Sequence, residues 1–269
     1  MTAPEPRVPV IDMWAPFVPS AEVIDDLREG FPVELLSYFE VFTKTTISAE
    51  QFGAYAESLR RTDDQILDSL DDAGITRSLI TGFDERSTCG VTFVHNASVA
   101  AVAARYPDRF LPFAGADILA GDSAVDEFER WVVEHGFRGL SLRPFMIGRP
   151  ASDPAYFPCY AKCVELGVPV SIHPWVLQAC LIAWKHPNVY LELAAHRPKY
   201  FASPGAGWEP LMRFGQTTIR NKIVYGTGGF LINRPYLQLC DEMRALPVPR
   251  EVLEDWLWRN ATRVLRLDT

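Results

Sequence analysis

The sequence predicts an α/β protein of the (β/α)8 TIM-like barrel type, and three observations lead to that prediction. Short runs rich in β-branched residues alternate with amphipathic stretches of about ten to fifteen residues, which is the pattern of βα units around a parallel sheet. The chain has 269 residues, enough for one large barrel domain or two ordinary domains. No Gly-x-Gly-x-x-Gly turn follows the first run, which disfavours a dinucleotide-binding fold. We therefore expect a single barrel domain over residues 1–269.

The first run, residues 8–15, predicts the first strand, and a long insertion follows it. Residues 16–62 contain helical pieces at 21–29, 33–42 and 49–60, and this segment is too long for a simple βα connection. We interpret it as a helical cap over the carboxyl end of the first strand.

Regular βα units continue after the cap. Residues 63–74 predict a helix that ends at Gly74, a residue suited to the left-handed conformation at helix ends. Further strands are predicted at residues 78–83, 110–114, 139–143, 168–173, 189–193 and 222–225. Further helices are predicted at residues 96–105, 124–135, 155–166, 177–185 and 208–214, and over 236–267 with an interruption near Pro247 and Pro249. Seven strands result, and the reactive groups of such a barrel lie at their carboxyl ends.

Charge and composition exclude several classes of function. The chain carries 34 acidic and 26 basic side chains, a net charge of −8, and these charges are scattered along it. A nucleic-acid or anionic membrane partner is therefore not expected. The first residues lack the pattern of a secretory signal, and no apolar run approaches the roughly 20 residues that span a bilayer. We expect a soluble, cytoplasmic protein.

The five cysteines are an odd number without a closely spaced framework, which suits reduced thiols. Cys159 and Cys163 are placed by their spacing on one face of a predicted helix. Two thiols with no His or Cys partner nearby cannot complete a tetrahedral metal site, so we expect them to be buried or half-buried by packing.

Several short segments resemble, in their order and spacing, one known family. They are Ile11-Asp12-Met13-Trp14, Ala73-Gly74-Ile75, Tyr106-Pro107-Asp108-Arg109-Phe110, Gly136-Phe137-Arg138-Gly139-Leu140, Lys185-His186-Pro187-Asn188-Val189-Tyr190-Leu191-Glu192-Leu193, Tyr225-Gly226-Thr227 and Asn260-Ala261-Thr262-Arg263-Val264-Leu265. The chain is similar to the amidohydrolase-related family that contains aminocarboxymuconate-semialdehyde decarboxylase and aromatic-acid decarboxylases. The resemblance implies the barrel fold and a hydrolase or carboxy-lyase.

The resemblance also implies a divalent ion, and here the sequence departs from the family pattern. Family members hold the ion with two His on the first strand, a His ending the fifth, sometimes a His ending the sixth, and an Asp after the last strand. The first-strand places hold Trp14 and Pro16, and Gly228 stands at the Asp place, so only His173 remains. Indole and proline rings offer no lone pair to a metal, and a catalytic zinc needs about three protein ligands. We therefore predict no catalytic metal and no other cofactor.

A second departure from the family pattern follows His173. The pair Pro174-Trp175, which in the family opens the helix after the sixth strand, comes here directly after the fifth strand. One βα unit of about 30 residues is therefore expected to be absent. A seven-stranded barrel would need a changed shear and tilt. We favour a deletion or a sequence artefact, because the flanking segments follow the family pattern.

His173 and Arg143 are the first candidates for chemistry. An imidazole at the end of the fifth strand suits general acid or base catalysis near neutral pH, and the alternative is a core histidine bonded to a carbonyl. Arg143 ends the fourth strand, where its guanidinium can clamp a substrate carboxylate. The alternative for Arg143 is an ion pair with Asp117 or Glu192.

Carboxylates form the second set of candidates. Asp84 and Glu85 follow the second strand and Asp117 follows the third. Crowded carboxylates raise each other's pKa, as a general acid requires, so Asp84 and Glu85 are catalytic candidates. The alternative is that a member of this group caps the next helix or pairs with an arginine.

Glu192 closes the strand at residues 189–193 and is a further catalytic candidate. If Glu192 points inward, its alternate neighbours point outward and it lies at the end of the barrel. His196 and Arg197 follow it on a loop and are candidates for substrate binding. Arg234, after the glycine-rich turn, is a candidate for another anion contact.

Asp12 and Trp14 remain at the end of the first strand. We expect Asp12 to be mainly structural, hydrogen-bonded near the strand end. Trp14 is expected either to form a flat apolar wall for a planar substrate or to fill the volume left by the ion.

The leading hypothesis is a metal-free enzyme that decarboxylates or hydrolyses a small, planar, carboxylated substrate. Protonation of a ring or enol carbon by His173 or a rim carboxylate would drive loss of CO2, with Arg143 orienting the acid. A non-catalytic protein that binds a ligand or supports a partner enzyme on the same barrel is the second hypothesis, and the missing βα unit favours it. A third is a metalloenzyme with the unexpected ligands Asp12, His173, Glu192 and His196.

The expected partner is a small carboxylated molecule. The resemblance also implies pairing into a homodimer through the cap and the late helices. Trp256 and Trp258 would suit such an interface if they are exposed, whereas burial against the barrel explains one of them equally well.

Overall fold

The computed structural model describes residues 7–15, 18–31, 47–172, 180, 183–228 and 234–267. The chain divides into two compact units. The first unit comprises Met1–Ala15, Leu67–Ser78 and Trp175–Thr269, and the second comprises Pro16–Ile66 and Leu79–Pro174. The predicted helix at 33–42 lies entirely outside the described residues, as does most of that at 177–185. The single domain and the cap over residues 16–62 stay predictions.

The first unit contains the first and the last strands of the chain. Strand β1 (Val10–Asp12) pairs in parallel with the beginning of β2 (Ile75–Thr81), and β8 (Leu191–Glu192) pairs in parallel with β9 (Ile223–Val224). Beyond β9 the chain continues beside β1, because Met13 N donates to Tyr225 O at 2.8 Å. The ends of β1, β8 and β9 therefore meet within this unit.

The second unit contains the end of β2 and three further parallel strands. They are β5 (Phe110–Gly115), β6 (Gly139–Leu142) and β7 (Val170–Ile172), with the order β2-β5-β6-β7. The seven parallel strands of the described residues coincide with the seven predicted runs. An antiparallel hairpin of β3 (Phe83–Asp84) and β4 (Thr92–Val94) was not predicted, because each of its strands is too short for a periodic pattern.

Helices follow most of the strands as predicted, whereas the short helices Arg86–Cys89 and Pro144–Ile147 were not predicted. Those of the second unit, with α3 shared between the units, are α1 (Ala21–Gly30), α2 (Ala49–Leu59), α3 (Asp63–Ala73), α4 (Arg86–Cys89), α5 (Asn96–Arg105), α6 (Asp122–His135), α7 (Pro144–Ile147) and α8 (Phe157–Leu166). The later ones are α9 (Glu209–Phe214), α10 (Tyr236–Arg244), α11 (Arg250–Glu254) and α12 (Asn260–Leu265).

Local chemistry explains where several helices begin and end. Ser48 begins α2 with a capping box, in which its hydroxyl accepts from Gln51 N while the Gln51 side chain accepts from Ser48 N. Gly74 ends α3 with a φ of +70°, as its position predicts. A Cβ at Gly74 would lie 2.7 Å from Arg244 Nη2, the end of a flexible side chain that can move aside, so the positive φ is the reason for glycine here.

The burial of side chains tests the sequence predictions for two cysteines and two tryptophans. Cys159 and Cys163 are buried in α8, as expected. Trp256 is fully buried, and its indole nitrogen donates to Gly215 O at 3.2 Å, so burial, the second alternative, holds for this tryptophan. Trp258 is half-buried, and the homodimer stays a prediction. None of the described helices is long and apolar enough to span a membrane.

Candidate functional site

A cluster of buried polar groups lies where β1, β8 and β9 end in the first unit. We call Asp12, Glu192 and Thr227 the polar cluster. Asp12 is fully buried, and its Oδ1 accepts from Thr227 N at 2.8 Å and from Trp14 N at 3.1 Å. Its Oδ2 accepts from the Thr227 hydroxyl at 2.6 Å. Asp12 therefore joins the end of β1 to the segment after β9, in agreement with its expected structural role.

Burial and hydrogen bonding act in opposite directions on Asp12. Burial raises the pKa of its carboxyl, because ionisation in a poorly solvated place is unfavourable, whereas the hydrogen bonds from Thr227 and Trp14 lower it. Both carboxyl oxygens are engaged by these donors, so Asp12 offers no uncommitted oxygen to a ligand.

Glu192 ends β8 and differs from Asp12 in its partners. Glu192 as a residue is half-buried, but its Oε1 is shielded from solvent and has no hydrogen-bond partner among the described residues. Burial, followed by the nearby Asp12 carboxyl, raises the pKa of Glu192 well above its ordinary value, although a bond from the Ala194 backbone opposes this. Both influences favour the protonated form of the Glu192 carboxyl over the ionised form.

Trp14 lies beside the polar cluster and is almost fully buried, with 3% of its surface exposed. An added Cβ at Gly226 would lie 2.8 Å from Trp14 Cβ, and one at Gly228 would lie 3.2 Å from Trp14 Cζ3. The indole is therefore covered by the glycine-containing segment and does not form an open wall. The geometry supports the other alternative, in which the ring fills volume.

The loop after β8 separates the group of ionisable residues predicted there. Ala195 adopts a φ of +59°, and His196 beyond it is exposed with its ring 4.9 Å from that of Trp208. The Arg197 guanidinium pairs with the Glu242 carboxylate through Nε to Oε2 at 2.9 Å and through a second bond from Nη2 to Oε1. Because the Glu242 carboxylate already accepts from two nitrogens of this guanidinium, the structure does not support Arg197 as a residue that binds a substrate carboxylate.

Arg234 is exposed directly ahead of α10, and its role as an anion contact stays a prediction. His173, the first catalytic candidate, lies outside the described residues together with 174–179. Its role therefore also stays a prediction.

In the second unit, Arg143 and Glu85 form a buried ion pair, each with 2% of its side chain exposed. Arg143 Nε and Nη2 both lie 2.7 Å from Glu85 Oε1. The guanidinium also donates to Ser141 Oγ and to Gly82 O at 3.3 Å, and its carbon lies 3.5 Å from the centre of the Phe83 ring. The expected ion pair of Arg143 is present, but its partner is Glu85 rather than Asp117 or Glu192.

That partner follows from the path of the chain after β2. Gly82 approaches β5 so closely that an added Cβ would lie 3.0 Å from Gly115 N, and the hairpin then turns Glu85 inward. Burial raises the pKa of the Glu85 carboxyl, the positive charge of Arg143 lowers it, and the net direction is upward. Glu85 Oε2 has no hydrogen-bond partner within the described part of the chain.

Of the other two candidate carboxylates in this unit, Asp84 pairs with an arginine as its alternative predicted, whereas Asp117 neither caps the helix that follows it nor pairs with an arginine. Asp84 accepts from Arg86 Nε at 2.8 Å and Nη2 at 2.7 Å, and from Thr92 Oγ1 at 3.0 Å. Asp117 accepts from the backbone N of Ser87 at 3.1 Å and from its hydroxyl at 2.6 Å. Both side chains hold the β3–β4 hairpin and α4 in place, so neither is free for catalysis in this arrangement.

At the ligand places that the structure describes, the residues do not fit the divalent ion that the resemblance implies. Trp14 and Gly228 supply no donor atom, and both Asp12 oxygens are committed to Thr227 and Trp14. No group of three or more His, Cys, Asp or Glu side chains suited to a metal occurs among the residues that the structure describes.

Thr227 and Gly226 are the site residues that sequence reasoning missed. Thr227 satisfies both oxygens of Asp12, and Gly226 leaves room for the Glu192 carboxyl, whose Oε1 would lie 2.4 Å from an added Cβ. The signal was present in the segment Tyr225-Gly226-Thr227-Gly228, where a hydroxyl lies between two residues without side chains.

Comparison with known proteins gives the family. The sequence profile of the amidohydrolases matches residues 11–179 and 174–267, and the two stretches overlap beside the Pro174-Trp175 pair. A decarboxylase of 2-amino-3-carboxymuconate-6-semialdehyde from Dictyostelium discoideum is 31% identical over 80 residues, which cover 30% of this chain and 22% of that protein. The chain spans less than a third of the length of the curated relatives it matches.

Solved structures give the fold. An uncharacterized TIM-barrel protein of Bordetella bronchiseptica superposes with a TM-score of 0.70 and 20% identity, covering 96% of this chain and 98% of the other. A 5-carboxyvanillate decarboxylase of Novosphingobium aromaticivorans, solved with manganese, gives a TM-score of 0.63 with 17% identity over 96% of both chains. These likenesses confirm the predicted barrel class, and because the profile covers almost the whole chain, the protein belongs to the amidohydrolase family.

Proposed function

We propose that this protein decarboxylates a small, planar, aromatic carboxylic acid without a metal, with Glu192 as the proton donor. The observation that carries the proposal is the state of the Glu192 carboxyl. Its Oε1 is buried without a described partner, and burial beside Asp12 raises its pKa well above the ordinary value. A carboxylic acid that stays protonated at neutral pH is the group that general-acid catalysis needs.

The chemistry requires one proton transfer and one bond cleavage. The Glu192 carboxyl gives its proton to the ring carbon that bears the substrate carboxylate. The bond between that carbon and the carboxylate then breaks, its electron pair returns to the ring, and CO2 leaves. Glu192, now ionised, takes a proton from solvent, which completes the cycle.

The remaining polar groups of the first unit support this assignment. Asp12 has both oxygens fixed by Thr227 and Trp14, so it stays in place beside Glu192. Two neighbouring carboxyl groups resist carrying two negative charges, and this interaction raises the pKa of Glu192 further. His173 remains the proposed second acid or base, and no step is assigned to Arg143 because Glu85 engages it.

The likeness to decarboxylases supports the substrate class. The curated relative and the second superposed structure carry the names of enzymes that remove a carboxyl group from unsaturated or aromatic acids. A net charge of −8 does not favour a polyanionic substrate, whereas a small monocarboxylate meets little long-range repulsion at physiological salt.

The first prediction is tested with the variant Glu192→Gln and a panel of hydroxybenzoates and related acids. We expect kcat for decarboxylation to fall by about 10²–10⁴-fold, because the amide cannot deliver the proton. Product formation is measured by chromatography together with released CO2. Glu251→Gln, at an exposed glutamate of the same unit, is the matched control and should retain activity.

Two outcomes would contradict the proposal. Equal rates for Glu192→Gln and the unaltered protein would exclude Glu192 as the donor. Tight binding of a panel acid without turnover would instead favour the non-catalytic ligand-binding alternative. That alternative draws support from the internal pairing of Arg143 with Glu85 and of Arg197 with Glu242, which occupies two guanidinium groups predicted to bind substrate.

A further inference from the structure

The segment after β9 passes the end of β1 at hydrogen-bond distance. Gly228 N donates to Trp14 O at 3.0 Å, and Trp14 N in turn donates to Asp12. These bonds fix the backbone of Gly228 directly beside the residue that carries the indole. Whatever side chain stood at position 228 would therefore have to share space with Trp14.

That space is closed from two sides. A Cβ added at Gly228 would lie 2.7 Å from Ala195 N and 3.0 Å from Ala195 Cα, and a backbone cannot move aside as a flexible side chain does. The edge of the indole, at 3.2 Å, closes the other side. Gly228 also has a φ of +55°, a conformation that residues with a Cβ adopt at a cost.

We infer that Trp14 and the turn at Ala195 together close the position where the resembled family carries a carboxylate ligand, so that the indole is a plug that excludes a divalent cation. The inference deepens the metal-free part of the proposed function and rests on it. The assignment of Glu192 as proton donor is tested separately by activity.

The burial of Trp14 and the hydrogen bonds of Asp12 also support exclusion of a cation. Trp14 is 3% exposed, so its ring occupies interior volume rather than a solvent channel. Asp12, beside Trp14 in sequence, has each oxygen bonded to a donor of Thr227 or Trp14. A cation placed here would have to displace the indole, and Asp12 could become a ligand only by giving up hydrogen bonds from Thr227 or Trp14.

The thermal stability of four variants, Gly136→Ala, Gly228→Ala, Trp14→Ala and the double variant of the last two, tests whether the space beside Gly228 is closed. Gly136→Ala is the matched control, since Gly136 has a φ of +70° and an added Cβ there meets no atom within 4 Å. We expect it to lower Tm by about 2–4 °C, the effect of left-handed strain alone. Gly228→Ala should lower Tm by more than twice as much, and by less when it is combined with Trp14→Ala, which removes one wall.

Equal losses for Gly228→Ala and Gly136→Ala would overturn the inference, and so would strict additivity of the Trp14→Ala and Gly228→Ala effects. A second measurement needs no variant that has to fold. The unaltered protein is dialysed with manganese(II), analysed for metal content and titrated calorimetrically. We expect no saturable binding, and near-stoichiometric manganese that survives dialysis would overturn both the plug and the metal-free proposal, whatever the activity of Glu192→Gln.

Discussion

Two neighbouring carboxyl groups illustrate how local partners decide chemical character. Asp12 receives three hydrogen bonds from Thr227 and Trp14, whereas Glu192 has a buried oxygen without a described partner. Donors stabilise the ionised form and burial without donors stabilises the neutral form. Because of this difference we interpret Asp12 as a structural residue and Glu192 as the candidate general acid.

Ala195 provides a prediction about backbone strain at the same place. Its φ of +59° costs an L-residue roughly 1–2 kcal/mol relative to the right-handed region. Glycine removes this strain but makes the unfolded chain more flexible, so Ala195→Gly should raise the free energy of unfolding by about 0.5–1 kcal/mol. Denaturant unfolding measures the change.

Ala194→Gly is the control for that experiment. Ala194 is buried and its φ is not positive, so glycine there should destabilise the protein. If both substitutions destabilise to the same extent, the left-handed conformation of Ala195 is not strained.

At the scale of elements, ion pairs connect the ends of strands in the second unit. The charged side chains there bind each other and are not free to bind a ligand. The residue that closes β6, Arg143, reaches back to Glu85 beyond β3 and covers the Phe83 ring. A buried pair of this kind contributes to a defined arrangement of loops, although its desolvation offsets much of its attraction.

The pair gives a prediction that separates attraction from desolvation. Arg143→Met leaves Glu85 buried without its counter-charge and should lower the free energy of unfolding by about 3–5 kcal/mol at neutral pH. The double variant Arg143→Met with Glu85→Gln should recover a large part of that loss, because no isolated charge remains. A double variant as unstable as the single one would show that the guanidinium contributes mainly by packing.

At the scale of the whole molecule, three buried carboxyl groups should make the free energy of unfolding depend on pH. Asp12, Glu85 and Glu192 all have pKa values raised by burial. In the unfolded chain such groups ionise near pH 4, so above that pH the folded protein binds more protons. The stability that the protonated groups contribute is present below their unfolded pKa and is lost as the pH rises through their folded pKa.

We therefore expect the contribution of these three groups to the free energy of unfolding to fall as the pH rises above about 4, whereas His196, whose pKa is lowered by burial, acts in the opposite direction. Urea unfolding at several pH values in one ionic strength checks the slope. Glu192→Gln should flatten the dependence, because one of the three groups no longer titrates. A stability that rises over this range would contradict the raised pKa values.

Much of the architecture could be predicted from the sequence because it depends on short-range patterns. Apolar runs of β-branched residues identify the seven parallel strands, and Gly74 identifies a helix end. The replacement of expected ligands by Trp14 and Gly228 is likewise visible in the letters alone. The antiparallel hairpin escaped prediction because two or three residues carry no periodicity.

The partners of the site residues could not be predicted, because they are separated by long stretches of chain. Arg143 pairs with Glu85, 58 positions away in the sequence, and Asp12 accepts from Thr227, 215 positions away. These partners depend on where the parallel strands place their ends. For the same reason Arg197, which was expected to bind substrate, instead pairs with a carboxylate of the protein itself.

The sequence by itself determined the family, the barrel class and the loss of metal-binding side chains, because each follows from the identity or spacing of residues. The tertiary structure decided which carboxyl group has a buried oxygen without a described partner, which guanidinium groups are engaged, and that the Trp14 indole lies against Gly226 and Gly228. These properties depend on distance and solvent exclusion, which arise only when β1, β8 and β9 meet.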